Sequence, residues 1–329
     1  MHWKVPLQVK TKFKFRIMRL QFISFLIGLL AAFAALAQTE EPVTLKTETG
    51  NIEGTLLLPD AKLPVPVVLI IAGSGPTDRD GNNPMMKNNS LKMLSAELAK
   101  KGIASLRYDK RGIAQSQPAG LKEADLRFEN YIQDAESWIK LLKQNKNFSK
   151  VIVIGHSEGS LIGMVASQNE NVAKFISIAG IGQPADMTFR EQLKAQPPFV
   201  LEQSAPILDE LVKGKTVENV PQMLFSLFRP SVQPYMISWF KYDPQKEIAK
   251  LKKLVLIVQG TTDIQVSVED AKRLKAANQS AKMTIIEGMN HIFKNADSDK
   301  TKNIQTYNQP ELPVNAELVD VICSFILSK

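Results

Sequence analysis

Cysteine is almost absent from this chain. Cys323 stands alone among 329 residues, so no intramolecular disulfide can form. Histidine is nearly as scarce, with three: His2, His156 and His291. The glycine-rich stretch at residues 73–81 is not closed by Gly-Lys-Ser/Thr, which excludes a phosphate loop there. Its glycine spacing does not fit a dinucleotide fingerprint either. Asp78, Asp80 and Gly81 superficially suit a calcium loop, but the remaining ligands and the closing glutamate are missing. This stretch therefore predicts neither a bound metal nor a nucleotide cofactor. Evenly spread positive charge is lacking too. The net charge is +8, but six of the 41 basic residues lie in residues 1–37, which hold no acid. Beyond them 35 basic residues face 33 acidic ones, so the basicity gives no argument for a nucleic-acid partner.

What those first residues do contain is the pattern of an export signal. Arg16 and Arg19 precede an apolar run over residues 25–37, Ala35, Leu36 and Ala37 form an A-x-A cleavage site, and a polar stretch follows. The run is short for a membrane span of about 20 residues. Residues 1–37 are thus expected to be a signal peptide, with an uncleaved anchor as the alternative. Residues 1–17 are superfluous to such a signal, and Met18 is the more usual start. Export without a disulfide fits a periplasmic or secreted protein, with no membrane span once the signal is removed.

The rest of the chain is 38–329. The composition, 44% hydrophobic and 22% charged, suits a globular protein with a sizeable core. Residues 43–48 and 52–58 alternate around Thr49, Gly50 and Asn51 and predict an antiparallel hairpin. Continuous apolar runs at 67–71, 151–154 and 254–258 predict strands covered on both faces, with further strands at 104–109, 175–179 and 283–286. Helical spacing occupies 90–101, 129–142, 268–278 and 315–327, and residues 296–313 read as irregular. Residues 183–250 break this rhythm. They are rich in Met, Phe, Pro and Leu and too long for a plain crossover, so they predict an inserted helical lid. A small second domain with its own core is the alternative.

The chemistry centres on Gly155, His156, Ser157, Glu158 and Gly159, a Gly-x-Ser-x-Gly turn between a β-branched strand and a small-residue helix. Such a turn exposes the serine hydroxyl at a helix N-terminus, where negative charge is favoured. A serine needs a base, and the base an orienting carboxylate. His2 lies in the leader, and His156 precedes the nucleophile with its side chain expected to point away. His291, in a turn right after a strand, remains. Among Asp186, Asp209, Asp243, Asp263 and Asp270, Asp263 alone sits in a turn at the C-terminal end of a buried strand, where α/β sheets place their sites. Asp270 is the runner-up. Two backbone N–H donors must face the oxyanion. They are assigned to Glu158, which follows the nucleophile, and to Ser74 in the glycine-rich loop. The Glu158 side chain has two options, the site or solvent.

In these residues the chain resembles the α/β-hydrolases of the serine aminopeptidase-like and monoacylglycerol-lipase-like group, and within it exported bacterial esterases. The resemblance rests on residues 73–82, on Asp109, Arg111 and Gly112, on the serine turn, on residues 260–263, and on Asn290 and His291, all in family order. Ala72 departs from it, since many relatives have histidine there. The resemblance implies an α/β fold of the α/β-hydrolase kind: a mostly parallel central sheet, an antiparallel N-terminal hairpin and an inserted helical lid. It also implies hydrolysis of small-molecule carboxylic esters, usually of short acyl chains, without a cofactor. Aminopeptidase, thioesterase and acyltransferase activity on the same three residues remain alternatives, as does an inactive binding protein of the same fold.

Overall fold

A computed structural model describes residues 39–328; the expected signal peptide lies outside the described residues. Strands β1 (Thr39–Thr47) and β2 (Gly50–Leu58) form the hairpin. Its loop is the two residues Glu48 and Thr49 rather than the expected residues 49–51, because Thr47 pairs directly with Gly50. Then come β3 (Val65–Ile71), α1 (Ser90–Lys100), β4 (Ala104–Tyr108), α2 (Phe128–Gln144), β5 (Phe148–His156), α3 (Glu158–Asn169) and β6 (Lys174–Ile178). The segment after β6 carries α4 (Ala185–Leu193), α5 (Pro198–Val212), α6 (Phe225–Phe228), α7 (Gln233–Trp239) and α8 (Pro244–Ala249). The chain closes with β7 (Leu254–Gly260), α9 (Val268–Ala277), β8 (Lys282–Ile286), α10 (Lys300–Gln305) and α11 (Ala316–Leu327).

The sheet has eight strands in the order β1-β2-β4-β3-β5-β6-β7-β8. β2 pairs antiparallel with β1 and β4, and every later pairing is parallel. A parallel sheet must be covered on both faces, and the side-chain alternation of its strands splits the core in two. Val67, Leu69, Ile71, Val151 and Val153 face one layer with Trp138, Ile139, Leu161 and Leu274. Val68, Ile70, Ile152 and Ile154 face the other, under Leu91, Leu94 and Leu98 of α1 and Leu318, Ile322 and Ile326 of α11. The helices begin where the sequence supplies caps. The Ser267 side chain accepts from the Asp270 N–H at the start of α9, and Asn315 from the Leu318 N–H at the start of α11.

Residues 300–305 were expected to be irregular, yet they form α10. They carry no apolar stripe, and the helix starts on the Asp299 side chain, which accepts from the Lys302 N–H. The helices between β6 and β7 gather a small core of their own from Leu193, Leu208, Leu211, Leu224, Phe228 and Met236. One buried glutamine staples it: Gln233 accepts from the Val217 N–H and donates to the carbonyls of Val217 and Phe228. The same segment is joined to the main core by Trp239, stacked on Phe128 of α2 at 5.9 Å between ring centroids. Among the described residues no helix is long and apolar enough to cross a membrane.

Candidate active site

β5 ends in the middle of the sheet, and α3 starts at once. Ser157 between them has φ 54° and ψ −124°, a strained conformation that costs on the order of 1–3 kcal/mol. Glycine on either side makes the turn possible. A Cβ on Gly155 would overlap the Gly159 carbonyl oxygen, and one on Gly159 would overlap the carbonyl oxygens of Ile71 and Ala72. The Ser157 N–H donates to Ile178 O on β6 (3.0 Å), which fixes the turn to its neighbour.

His291 and Asp263 meet at the same end of the sheet. The His291 Nδ1 is 2.8 Å from Asp263 Oδ2. Asp263 Oδ1 accepts from the backbone N–H groups of Gln265 (2.8 Å) and Val266 (2.9 Å), and Oδ2 accepts also from Gln259 Nε2 (3.0 Å). Burial raises this carboxyl, but the His291 charge and hydrogen bond and the two backbone donors outweigh it. The net direction is below the ordinary aspartate value, and Asp263 is a carboxylate at neutral pH. With Nδ1 engaged, Nε2 of His291 faces away from Asp263. The loop bearing His291 is held by Asn290. Its Oδ1 accepts from the Ile292 and Lys294 N–H groups, and its Nδ2 donates to Thr306 Oγ1 and Asn303 Oδ1.

A cavity of about 130 Å³ is lined by Ser157, Ser74 and Glu158 together with Ile181, Phe189, Trp239 and Val266. The nucleophile candidate, both oxyanion candidates and the inserted helices therefore share one space. A larger, mostly apolar cavity of about 610 Å³ adjoins it across Ser74, Glu158, Phe189 and Trp239, and reaches Leu126, Tyr131 and Met236. The runner-up carboxylate, Asp270, is not in this group. It caps α9, and its Oδ1 accepts from the Gly182 N–H. Asp78 and Asp80 are engaged elsewhere: Asp78 accepts from the Asp80 and Asn82 N–H groups of its own loop, and Asp80 pairs with Arg107 of β4.

Three supporting residues escaped the reading of the sequence. His156 does not simply turn away. Its buried ring lies 4.7 Å from that of His291, and its Nε2 is 2.9 Å from His291 O. Burial, followed by the nearby His291, pushes its pKa down to about 3, so it is neutral and donates that hydrogen bond. Gln259 supports Asp263, and the signal was a lone amide ending an apolar strand. Lys110 belongs to the Asp109-to-Gly112 string on which the resemblance rests, but nothing in the sequence pointed to its contact with Glu158.

Comparisons with known proteins give the family and the fold. The family model described as serine aminopeptidase, S33, matches residues 88–296, which include Ser157, Asp263 and His291. The chain belongs to this family of α/β-hydrolases. The esterase EstD of Thermotoga maritima is 25% identical over 259 residues, 77% of this chain; the chain spans only 60% of the length of that relative. Among solved structures, Est1E from Butyrivibrio proteoclasticus with ferulic acid bound aligns over 87% of this chain and 100% of its own (18% identity, TM-score 0.59). The Pyrococcus furiosus esterase PF2001 aligns over 88% of this chain and 91% of its own (17% identity, TM-score 0.56). At such identities these structures establish the α/β-hydrolase fold.

Proposed function

We propose that this hydrolase cleaves carboxylic esters of small molecules through an acyl-enzyme on Ser157. The observation that carries the reading is the buried Asp263–His291 hydrogen bond at 2.8 Å, at the sheet end where Ser157 is held strained at a helix N-terminus. The ester carbonyl lies over Ser157 with its oxygen toward the N–H groups of Ser74 and Glu158. Ser157 Oγ attacks as His291 Nε2 takes its proton, and the carbonyl oxygen becomes the oxyanion that the two N–H groups receive. Asp263 keeps the tautomer with the proton on Nδ1 and faces the imidazolium that forms. The protonated Nε2 then gives its proton to the leaving alcohol oxygen as the C–O bond breaks. Water repeats the sequence on the acyl-enzyme and frees the acid and Ser157.

Acyl length follows from room. The cavity beside Ser157, about 130 Å³, is far smaller than the adjoining one of about 610 Å³, and it suits short acyl chains. The larger cavity suits an apolar alcohol portion. Residues 183–250 act as a lid over both, through Phe189, Tyr235 and Trp239. An aminopeptidase needs a free carboxylate for the substrate ammonium. Glu158 is the acidic residue lining the smaller cavity, and both its oxygens are engaged, by Tyr235 and Lys110. That favours the ester reading. The pattern of residues 1–37 supports export, and N-terminal sequencing of the secreted or periplasmic protein tests it: a chain starting at Gln38 is the expected product. Hydrolysis of p-nitrophenyl esters from acetate to decanoate tests the reaction. Turnover is expected to peak at short chains, and a peak at decanoate would overturn the acyl-length assignment.

A further inference from the structure

The glycine-rich loop that supplies the Ser74 N–H is tied on its far side by Thr77, whose Oγ1 donates to the Ser74 carbonyl oxygen at 2.9 Å. Gly73 and Gly75 offer no side chain that could anchor the peptide before it, and Gly75 sits at φ +72° with open space around it. Peptide units in such a loop can turn over at small cost. Yet the Gly73–Ser74 peptide must keep one orientation if its N–H is to meet an oxyanion. A Cβ built on Gly73 would stand 3.1 Å from the Ser157 Cβ, so this peptide lies directly against the nucleophile.

Lys110 holds the Gly73 end of that peptide. It follows β4 at the same end of the sheet and is 1% exposed. Its Nζ donates to the Gly73 carbonyl oxygen at 2.6 Å, lies 3.3 Å from Glu158 Oε2, and sits 5.1 Å above the Tyr131 ring. Glu158 Oε1 accepts in turn from the Tyr235 hydroxyl of α7 at 2.6 Å. A buried ammonium–carboxylate pair is poor value for stability alone, since apolar residues of the same volume commonly do as well or better. Its geometry gives it another purpose. The C=O of Gly73 and the N–H of Ser74 belong to one planar trans peptide and point in opposite directions. Gripping the oxygen on the Lys110 side turns the N–H to the other side. The carboxylate that anchors the ammonium belongs to Glu158, whose own backbone N–H is the second donor.

We propose that Lys110 is a positioning residue. Its ammonium, seated on Glu158, fixes the Gly73–Ser74 peptide so that both oxyanion donors are set before substrate binds. The Tyr235–Glu158 hydrogen bond extends this fixing to the lid. The inference rests on the esterase reading above, and it concerns the transition state: a misaimed Ser74 N–H weakens the hold on the oxyanion and leaves binding of the neutral ester intact.

The test compares wild type, Lys110→Met and Lys110→Arg on p-nitrophenyl butyrate, with thermal melts to verify folding and Ser157→Ala alongside. Inhibition is measured with a short alkyl trifluoromethyl ketone, whose hemiketal on Ser157 carries an oxyanion, and with the matching methyl ketone, which binds as a neutral carbonyl. Losing one oxyanion donor outright costs about 10²–10³-fold in kcat, and misaiming one is expected to cost about 10–100-fold in Lys110→Met, with KM changed by less than about two-fold. The trifluoromethyl ketone should weaken by the same factor and the methyl ketone should not. Lys110→Arg, which keeps a donor for the Gly73 carbonyl, should retain more turnover than Lys110→Met. If Lys110→Met does not fold, Lys110→Leu, which also lacks a donor, carries the same comparison. A folded variant with wild-type kcat overturns the proposal, as does a fall in kcat that leaves the trifluoromethyl ketone unaffected. If Ser157→Ala hydrolyses the ester as well as wild type does, the esterase reading falls and takes this inference with it. If Ser157 is required and Lys110→Met matches wild type, the inference alone falls.

Discussion

Replacing Asp263 by asparagine changes one atom and reverses one hydrogen bond. The asparagine oxygen takes the place of Oδ1, because that position accepts from two backbone N–H groups, Gln265 and Val266. The amide NH₂ must then occupy the place of Oδ2, facing His291 Nδ1 and Gln259 Nε2, where the carboxylate oxygen accepted. A donor opposite Nδ1 stabilises the imidazole tautomer that carries its proton on Nε2. That tautomer cannot accept the Ser157 proton. The size of such an inversion in a Ser-His-Asp hydrolase is about 10⁴-fold in kcat, or about 5.4 kcal/mol at about 1.36 kcal/mol per tenfold. Since Asp263 does not touch substrate, KM for p-nitrophenyl butyrate should stay within about three-fold of wild type. Steady-state kinetics at neutral pH on the folded variant checks this. A loss smaller than about tenfold would refute the role given to Asp263, because no other carboxylate is hydrogen-bonded to His291 among the described residues.

Gly159→Ala should abolish turnover and lower stability by about 1–3 kcal/mol or more, because the added methyl meets backbone carbonyls that cannot yield. Gly214→Ala, at φ +79° in open space, should lower the melting point only slightly and leave kcat unchanged. His156 should make the protein acid-sensitive. Its folded pKa, about 3, lies below the ordinary 6.5, so between those values the unfolded chain binds a proton that the folded one does not. Stability therefore falls as pH drops below 6.5, by up to about 1.4 kcal/mol per pH unit. Urea titrations of wild type and His156→Gln between pH 7 and 4 should show that slope in the first and a weaker one in the second. Trp239→Ala should merge the two cavities that its side chain lines and shift the ester preference toward longer acyl chains. The accompanying stability loss is about 3–5 kcal/mol. An unchanged chain-length profile in the folded variant would contradict the acyl-pocket assignment.

Much of the architecture was legible because the physics acting on it is local. Residues 67–71 and 151–154 are apolar at every position, which only a strand covered on both faces requires, and they became the neighbours β3 and β5. The serine turn announced itself through glycines whose Cβ atoms have no room. Asp263 and His291, singled out by their positions at strand ends, are hydrogen-bonded to each other. What stayed hidden depends on groups distant in sequence. That Glu158 turns inward is decided by Lys110, 48 residues before it, and Tyr235, 77 after it. His156 seats the backbone of His291 from 135 residues away. The segment 185–249 packs around a small leucine-rich core, but the glutamine that staples it and the aromatic contacts that join it to the main core follow no period of two or 3.6. Helix α10 was missed because an aspartate cap, not an apolar face, starts it.

The central claim is that Ser157 is the nucleophile of an ester hydrolase. The most direct measurement is mass spectrometry of wild type and Ser157→Ala after treatment with a fluorophosphonate, paired with p-nitrophenyl butyrate turnover in the same samples. The account predicts one phosphonyl group on the peptide carrying Ser157, loss of turnover in step with labelling, and neither label nor turnover in the variant. Wild-type turnover in Ser157→Ala, or a label on another residue, would contradict it.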